Sequence, residues 1–436
     1  MADDHVDDLL AGWITADAAA RRLGVKTATL YAYVSRGVLG RRRSAAGHSL
    51  FDPAEVDQLA RRGRPRRRAG TSEVTIESGI TALGTDRPFF RGRVALSLAR
   101  THRLEEVAEL LWTGELPAGP VPEWVAAPPA IAAGRAAQSG LPAGVLPIER
   151  LQVVVPTVAA LDPLRHNLQR DAVAAIGRSL VPAMVECLPL PGGRSAGADL
   201  GDRPPAGGDL GDRPPAGGDL GDRPPAGGDL AARLWPRLTA APAEPALLVV
   251  LRTALALLAD HEVAASTLAA RVAASVRADP YAAVIAGLGA TSGALHGGAS
   301  LGVEALLAEV GEPGNAERVI GQRLRRGERI PGFGHPVYRD GDGRAGLLFD
   351  VLRAAAPCHP ALALADAVRA EAPRRHLPAP NVDLALGTFT RVAGMITGAG
   401  EAIFAIARTA GWLAHAMEEY DNPTRLRLRA AYRARP

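Results

Sequence analysis

Apolar residues recur at helical spacing through most of the chain. Segments 104–117, 246–262 and 402–420 each place Leu, Val, Ile or Ala three or four positions apart, which predicts helices. His261 falls inside the second segment and Arg408 inside the third, so each is expected within an otherwise apolar helix. No stretch of alternating strand-like residues or of repeated strand–helix units appears in the sequence. The pattern therefore predicts a mostly α body.

Residues 13–60 have a separate pattern, that of two short helices followed by a hairpin. A helix is predicted over 16–23, a tight turn at Gly24, and a second helix from Thr27, which is suited to be its N-cap. The apolar positions of this helix-turn-helix are Ala19, Leu23, Val25, Leu30 and Val34. The stretch RRRSAAGHSLF then predicts a basic hairpin, and the Asp52-Pro53 step begins a closing helix.

The segments ITADAAARRLGVKTATLYAYVSRGVL and HSLFDPAEVDQL resemble the winged helix-turn-helix of excisionase and MerR-type regulators. Between residues 13 and 70 there are thirteen Lys and Arg against four Asp and Glu, a cluster that suits a phosphate backbone. The resemblance implies two sets of DNA contacts. The set facing the major groove is Thr27, Thr29, Tyr31 and Tyr33, and the set near phosphates is Arg41, Arg42 and Arg43. A docking or regulatory module without DNA is the alternative.

Two segments read as connections rather than as packed structure. Residues 61–71 form an Arg-rich linker, and residues 1–12 an acidic N-terminal tail. The unit GDLGDRPPAG repeats with a period of ten over residues 198–230. Because Gly, Pro and balanced charges cannot bury a core, this repeat is expected to be a disordered surface insertion. A spacer or a partner motif is the other interpretation.

Composition places the chain among ordinary globular proteins. It has 436 residues, of which 47% are hydrophobic and 22% charged. Cys187 and Cys358 lack metal-ligand spacing and imply no disulfide framework, no apolar run is long enough to span a membrane, and no basic leader precedes residue 13. A cytoplasmic protein is expected. Lys26 is the only lysine in a chain rich in Arg, so only clusters of Arg carry information.

Two histidines occur where the neighbouring residues are small. His296 lies in GALHGGAS and His335 in GFGHPVYR, while Asp383 follows Pro380 and Asn381 at a predicted helix start. Each has an ordinary explanation: a hydrogen-bonded core histidine, or a carboxylate that favours a helix N-terminus. Arg408 likewise could cap a carbonyl or pair with Glu401. Two histidines in separate Gly-rich loops together with a carboxylate indicate a site nonetheless.

Other chemistries do not match the sequence. There is no HExxH, and the histidines are too far apart for a metal site, so none is predicted. A GxSxG elbow, a Walker A loop and a Rossmann fingerprint after a strand are also missing. The remaining interpretation is metal-free acid–base chemistry, with histidine as neutral donor, aspartate as base and arginine for an anionic substrate.

The three segments GALHGGAS, GFGHPVYRDGDGRA and NVDLALGTFTRVAG…FAIARTAGWLAH resemble, in this order, the signature segments of citrate synthase. The likeness extends over about 75–436 apart from the repeat. It implies a mostly α, two-domain fold behind the small winged helix-turn-helix domain. The implied parts are a large domain at 72–297, a small domain at 298–402 and a return to the large domain at 403–436.

The resemblance also implies an activity, the condensation of acetyl-CoA with oxaloacetate and water to citrate and CoA, as a citrate (Si)-synthase-like acyltransferase. The implied catalytic residues are His296, His335 and Asp383, and the substrate contacts are His261, Arg344, Arg408 and Arg427. The segment that would lie against CoA is Pro331, Gly332, Phe333 and Gly334. CoA would be a co-substrate, with no permanent cofactor and no metal. In the family the last arginine reaches the partner subunit's site, which implies a homodimer.

Two departures from the family pattern stand out. Gly343 replaces a frequent proline between Asp342 and Arg344, which is expected to loosen this loop. The stretch LRLRAAY lacks a proline, so the alignment favours Arg427 over Arg429 without deciding between them. Two other functions stay open: a 2-methylcitrate synthase that uses propionyl-CoA, and a DNA-binding regulator that uses the body as a metabolite sensor.

Overall fold

The computed structural model describes residues 13–23, 25, 27–35, 39–43, 49–53, 55–56, 76–192, 229–339 and 341–427. The predicted N-terminal tail, the Arg-rich linker, repeat residues 198–228 and Arg429 lie outside these ranges. The chain divides into two compact units, Met1–Thr75 and Ile76–Pro436. No helix in the described part is both long enough and apolar enough to cross a membrane.

The first unit is a helix-turn-helix with a small sheet. Its elements are β1 (Ile14–Thr15), α1 (Ala16–Leu23), α2 (Thr27–Ser35), β2 (Arg42–Arg43) and β3 (Ser49–Phe51). The strands are antiparallel in the order β1-β3-β2, so the predicted basic hairpin is present. Leu30, Phe51 and Val56 are fully buried in its core, and Val56 N–H donates to Asp52 O where the closing helix begins. Thr27 is the first helical residue of α2 rather than its N-cap, a shift of one position.

The second unit opens with three strands and continues almost entirely as helix. Strands β4 (Thr81–Leu83), β5 (Pro88–Phe90) and β6 (Arg93–Val94) form an antiparallel meander. The helices are α3 (Ala95–Thr101), α4 (Leu104–Thr113), α5 (Pro128–Ala136), α6 (Pro147–Ala160), α7 (Arg170–Cys187), α8 (Leu230–Leu238), α9 (Pro245–Leu258), α10 (Ala265–Ser275), α11 (Pro280–Thr291), α12 (Gly298–Val310), α13 (Ala316–Arg325), α14 (Gly343–Ala355), α15 (Pro360–Arg374), α16 (Val382–Val392) and α17 (Ala399–Asp421), with a 3₁₀ turn at Pro313–Asn315.

Helix α17 is the central helix of this unit. It is buried on almost all sides along its length, and most of its side chains are apolar. Its Trp412 is fully buried against α11, where a Cβ on Gly287 would lie 2.6 Å from the indole. Trp412→Ala would therefore cost about 3–5 kcal/mol of folding free energy. The mostly α prediction is confirmed.

Local sequence signals begin several helices. Asp279 caps α11, its carboxylate accepting from Ala282 N–H, and Pro280 occupies the first helical position. Asp229 caps α8 in the same way. The sequence had assigned Asp229 and Leu230 to the disordered insertion. That boundary is wrong by two residues, because the cap and the buried Leu230 belong to the fold.

The helix expected over 246–262 ends early. Helix α9 stops at Leu258, so His261 lies in the following loop and not inside a helix. The last carbonyls of α9 bind α17 instead of continuing the helix: Arg408 Nε donates to Leu258 O at 2.8 Å, and Gly411 N–H donates to Ala259 O at 3.0 Å. Periodicity could not reveal this end, because the groups that bind these two carbonyls lie about 150 positions further along the chain.

Candidate active site

Four side chains from two loops and a helix start form one end of a buried site. The imidazole centroids of His261 and His335 lie 5.0 Å apart, and His335 stacks on Tyr338 at 4.6 Å. His261 Nε2 is 2.9 Å from the Tyr338 hydroxyl. The guanidinium of Arg344 lies 5.3 Å from the Tyr338 ring, as a cation–π contact. Residues from distant parts of the sequence therefore meet around Tyr338.

The protonation state of His335 follows from its neighbours. Its Nδ1 accepts from Val337 N–H at 3.1 Å and from Tyr338 N–H at 3.2 Å. Because a backbone N–H can only donate, the imidazole proton must be on Nε2. Burial, and then the charge of Arg344, lowers the pKa of His335 to about 4. At neutral pH His335 is thus a neutral donor through Nε2.

His296 accepts through the other ring nitrogen, Nε2. Ser266 N–H approaches its Nε2 at 3.4 Å, and Ser266 Oγ lies 2.7 Å from the same nitrogen. Ser266 Oγ also accepts from Trp412 Nε1 at 3.2 Å, which leaves its own hydrogen for His296. The proton of His296 is therefore on Nδ1. Burial, followed by the charge of Arg408, lowers the pKa of His296 to about 4, so it too is neutral.

Asp383 is in the first turn of α16 and half-buried. Asn381 caps this helix, its Oδ1 accepting from Asp383 N–H at 3.0 Å. Burial raises the pKa of Asp383 to about 6, although the charge of Arg344 acts against the rise. Asp383 is therefore ionised at neutral pH, yet more basic than an ordinary carboxylate. That combination suits a general base.

The predicted CoA segment is joined to the Asp383 helix. Gly334 N–H donates to Ala379 O at 2.8 Å, and Asn381 N–H donates to Gly332 O at 2.9 Å. Gly332 has φ +82°, and a Cβ there would lie 2.9 Å from Leu384 Cβ. Only glycine fits this turn. Residues 331–334 therefore run directly beside the start of α16.

Arg344 is buried with its partner Asp342. The pair is bidentate, with Nε to Oδ1 at 3.0 Å and Nη2 to Oδ2 at 2.9 Å. Asp342 also accepts from Val382 N–H at 3.1 Å, which connects the arginine to the Asp383 helix. The loop around Gly343 is not left without support, contrary to the loosening expected from the lost proline. Gly343 N–H donates to Asp86 O at 2.8 Å, a bond that proline could not make.

Arg408 lies one helical turn beyond Phe404 on α17. Its guanidinium stacks on the Phe404 ring at 4.4 Å, and Phe404 meets the His296 ring edge-on at 5.5 Å. Nε caps Leu258 O, which was one of the two ordinary explanations, while no ion pair with Glu401 joins the two side chains. Burial, more than the charges around it, lowers the pKa of Arg408 to about 10, so it stays charged.

Sequence reasoning missed several members of this site. They are Tyr338, Ser266, Phe404, Trp412 and Asp342. Phe404 had a usable signal, since it precedes Arg408 by four positions on one helical face. Ser266 had none, because its importance depends on a contact with a residue 30 positions away.

Not every predicted residue joins the site. Arg427 is exposed in the segment after α17, and no hydrogen bond or ion pair connects it with the residues that the structure describes. In the first unit, Tyr31 and the hairpin arginines 41–43 are exposed, whereas Thr27 and Tyr33 are half-buried, and Thr29 lies on α2 between them. Arg42 lies over the Trp13 ring at 5.2 Å. Within the described ranges, no group of three or more His, Cys, Asp and Glu side chains is placed to hold a metal ion.

Two family models match the chain. The one for the citrate synthase C-terminal domain covers residues 70–431, and the one for MerR HTH family regulatory proteins covers residues 14–64. The second match agrees with the helix-turn-helix of the first unit. The first match covers the whole described part of the second unit.

Curated relatives match the chain in part. Citrate synthase 2 of Bacillus subtilis is 40% identical over 186 residues, 41% of this chain and 49% of that protein. 2-Methylcitrate synthase 1 of Corynebacterium glutamicum is 35% identical over 181 residues, 41% of this chain and 48% of that protein. The chain thus spans about half the length of the curated relatives it matches.

A solved structure matches over more of the chain. The ternary complex of Thermoplasma acidophilum citrate synthase with carboxymethyl coenzyme A and oxaloacetate has a TM-score of 0.65 and 23% identity. The match covers 84% of this chain and 95% of that chain, so the two have the same fold. Together with the family match over residues 70–431, this places the chain in the citrate synthase family.

Proposed function

We propose that this chain condenses an acyl-CoA, acetyl-CoA in the first instance, with oxaloacetate and water to give a tricarboxylate and CoA. The observation that carries the proposal is the pairing of two neutral histidines of fixed, opposite tautomers with a basic carboxylate. Each histidine presents one N–H donor, and Asp383 accepts a proton. This is the set that an aldol-type addition of a thioester to a ketone requires.

In the first step Asp383 removes a proton from the α carbon of the thioester. Such a proton is far less acidic than a carboxylic acid, so the developing charge on the thioester oxygen must be stabilised as it forms. His296 Nδ1–H is the donor for that oxygen. The small neighbours of His296 allow the thioester to approach the loop. His296 passes its Nδ1 proton to this oxygen, so that the intermediate is an enol, and regains the proton when the enol reacts; a closed site would keep water away from the enol.

In the second step the enol carbon attacks the ketone of oxaloacetate. His335 Nε2–H donates to the ketone oxygen, and the proton of the new hydroxyl comes through this histidine. The two substrate carboxylates would be bound by Arg344 and Arg408, which are buried and remain charged, and by His261. Water then cleaves the thioester bond of the condensed product, releasing CoA and the free carboxylate.

The acyl group can be acetyl or propionyl. Proteins named for citrate and for 2-methylcitrate both match the chain, at 40% and 35% identity, so they do not separate the two. A single additional methylene in an apolar pocket changes transition-state binding by about 1–3 kcal/mol. We place acetyl-CoA first and propionyl-CoA second.

The deciding experiment is CoA release by the purified chain with oxaloacetate, comparing acetyl-CoA and propionyl-CoA. Turnover with either supports the proposal, and the ratio of the two kcat/KM values selects the product. If neither thioester releases CoA although oxaloacetate binds, the enzyme proposal fails and a metabolite-sensing role replaces it.

A homodimer is part of the proposal. In the family the last arginine serves the partner subunit's site. Arg427 is exposed here, and it forms no hydrogen bond or ion pair with the described residues of its own chain. Arg427 would thus complete the carboxylate contacts of a second copy.

DNA is the second candidate ligand, proposed for the first unit. The MerR family match and the exposed arginines 41–43 on the hairpin favour it. Replacing these three arginines by alanine in the full chain should weaken duplex binding and reduce the salt slope by about one for each arginine that neutralises a phosphate. CoA release should not change. The matched control replaces three exposed arginines of the second unit, Arg93, Arg100 and Arg329. If this control weakens DNA binding equally, the loss comes from the lower net charge and not from contacts made by the hairpin.

A further inference from the structure

A row of buried polar groups lies behind the site, along α17. His415 is fully buried between Arg271 of α10 and Asp260 of the loop after α9. Arg271 Nη1 lies 2.7 Å from His415 Nδ1, and His415 Nε2 lies 3.3 Å from Asp260 Oδ2. None of these three side chains takes part in the two proposed chemical steps.

The direction of these hydrogen bonds is fixed by Arg271. A guanidinium has no acceptor, so His415 Nδ1 must accept, and the imidazole proton is on Nε2, aimed at Asp260. Burial alone would raise the pKa of Asp260, but His415 and the charge of Arg408 bring it below its ordinary value. Asp260 is therefore an ionised carboxylate that accepts a hydrogen bond from His415 Nε2–H.

Arg271 is itself anchored to α17. Its Nη1 donates to Glu418 Oε2 at 2.7 Å, and its Nη2 lies 2.5 Å from Glu419 Oε1. Arg271 and Glu419 are almost fully buried. These two ion pairs restrict the buried guanidinium of Arg271 and direct its Nη1 at His415 Nδ1.

Helix α17 holds the loop that carries His261 at three successive turns. Arg408 binds Leu258 O and Gly411 N–H binds Ala259 O at the end of α9. His415 binds the next residue, Asp260. The contact at Gly411 is close, since a Cβ there would lie 2.3 Å from Asp260 Oδ1. His261 follows directly in the chain, so these bonds restrict where its backbone can lie.

We propose that His415, together with Arg271, is a positioning residue that fixes Asp260 and thereby places His261 and Arg408 for the keto acid. Asp260 also supplies a negative charge beside Arg408, which partly offsets the cost of burying that guanidinium. The proposal rests on the proposed function, because it assigns the row to the oxaloacetate end of the site rather than to the thioester end.

The test compares His415→Leu, which removes both bonds, with His415→Gln, which keeps a donor near the Nε2 position. Oxaloacetate affinity is measured by calorimetry, and acyl-CoA KM by CoA release. His415→Leu should weaken oxaloacetate binding about tenfold or more, as expected when a hydrogen bond to a charged group is removed, with acyl-CoA KM changed by less than about twofold. His415→Gln should recover most of the affinity. Unchanged oxaloacetate affinity in His415→Leu overturns the proposal.

A core defect alone must be separated from mispositioning. Thr409→Val is the matched control, because Thr409 is fully buried on the same helix and its hydroxyl donates to Ala405 O, outside the row. It should lower thermal stability without weakening oxaloacetate binding. If His415→Leu does not fold, Asp260→Leu removes the acceptor of the same hydrogen bond at similar volume. It should weaken oxaloacetate binding at least as much, and wild-type affinity in Asp260→Leu would refute the positioning role.

A readout without ligand separates this inference from the proposed function. The ¹⁵N shifts of the His261 ring should change in His415→Leu but not in Thr409→Val. If the wild-type chain binds no oxaloacetate, the proposed function fails, and the His261 shifts alone decide the positioning. Unmoved His261 signals in His415→Leu would then reject it.

Discussion

At the residue scale, Asp383 gives the clearest prediction of how the reaction rate depends on pH. A general base works only when ionised, so the rate should rise with pH through the pKa of Asp383, about 6, and level off above it. The two histidines are not the source of this limb, because their pKa values lie near 4 and both are already neutral. We expect kcat/KM, measured from pH 5 to 9, to fall tenfold per pH unit well below pH 6.

Replacing the base gives a second expectation for the same residue. Asp383→Asn should lower kcat by about 10²–10⁴-fold, the usual contribution of a positioned base. Oxaloacetate binding, measured separately by calorimetry, should stay within about twofold of wild type, since the proposed function assigns the carboxylate contacts to Arg344 and Arg408. Normal turnover in Asp383→Asn would remove the base assignment.

Glu401 is a buried carboxylate whose ionisation should measurably lower the free energy of unfolding. It is 2% exposed, and its Oε2 has no hydrogen-bond partner among the described residues. Burial, and then the charges of Glu304 and Glu149, raises the pKa of Glu401 to about 7. Because the unfolded chain ionises near the ordinary pKa, stability is lost as pH rises from about 4.5 to 7 and is constant above that.

Glu401→Gln removes this ionisation. The free energy of unfolding of Glu401→Gln relative to wild type should therefore increase by about 1–3 kcal/mol between pH 4.5 and pH 7.5. Urea unfolding at both pH values measures it. Glu312→Gln, at an exposed position, is the control and should show a flat difference. A flat difference for Glu401→Gln as well would mean that this carboxylate is not held in its neutral form.

At the element scale, two glycines of α14 should respond in opposite ways to the same substitution. A Cβ on Gly343 would lie 2.9 Å from Asp86 O, whereas a Cβ on Gly346 meets nothing within 4 Å. Gly343→Ala should cost about 1–3 kcal/mol of folding free energy and weaken oxaloacetate binding, because it displaces Arg344. Gly346→Ala should stabilise by up to about 1 kcal/mol. Thermal unfolding of the pair checks both signs, and a Gly343→Ala protein as stable as wild type would contradict the close contact.

The same scale shows what the sequence could and could not predict. Helical periodicity predicted α4 and α17, because the buried face of a helix requires apolar residues three or four positions apart. It overran the end of α9, since that end is set by Arg408 and Gly411, about 150 positions away. His296, His335 and Asp383 could be singled out by their glycine-rich or helix-start surroundings. Ser266, Tyr338 and His415 could not, because each acquires its task only from a partner brought close by folding.

At the scale of the whole molecule, an arginine shared between two subunits predicts that two inactive variants can restore activity when they form a mixed dimer. If Arg427 serves the partner's site, Asp383→Asn and Arg427→Ala are each inactive for different reasons. In a mixed dimer, the Arg427→Ala subunit keeps its own Asp383 and receives an intact arginine from the other subunit. One of the two sites is then complete.

Mixing the two inactive proteins after unfolding and refolding together should therefore restore activity. Random pairing makes about half of the dimers mixed, each with one complete site, so about a quarter of wild-type CoA release is expected. If Arg427 acts within its own chain, every mixed dimer lacks a group in both sites and nothing is restored. Arg427→Ala refolded with Arg427→Ala is the control for recovery by refolding alone. A quarter of the activity in the mixture, against none in the control, would show that two copies of this chain build each site together.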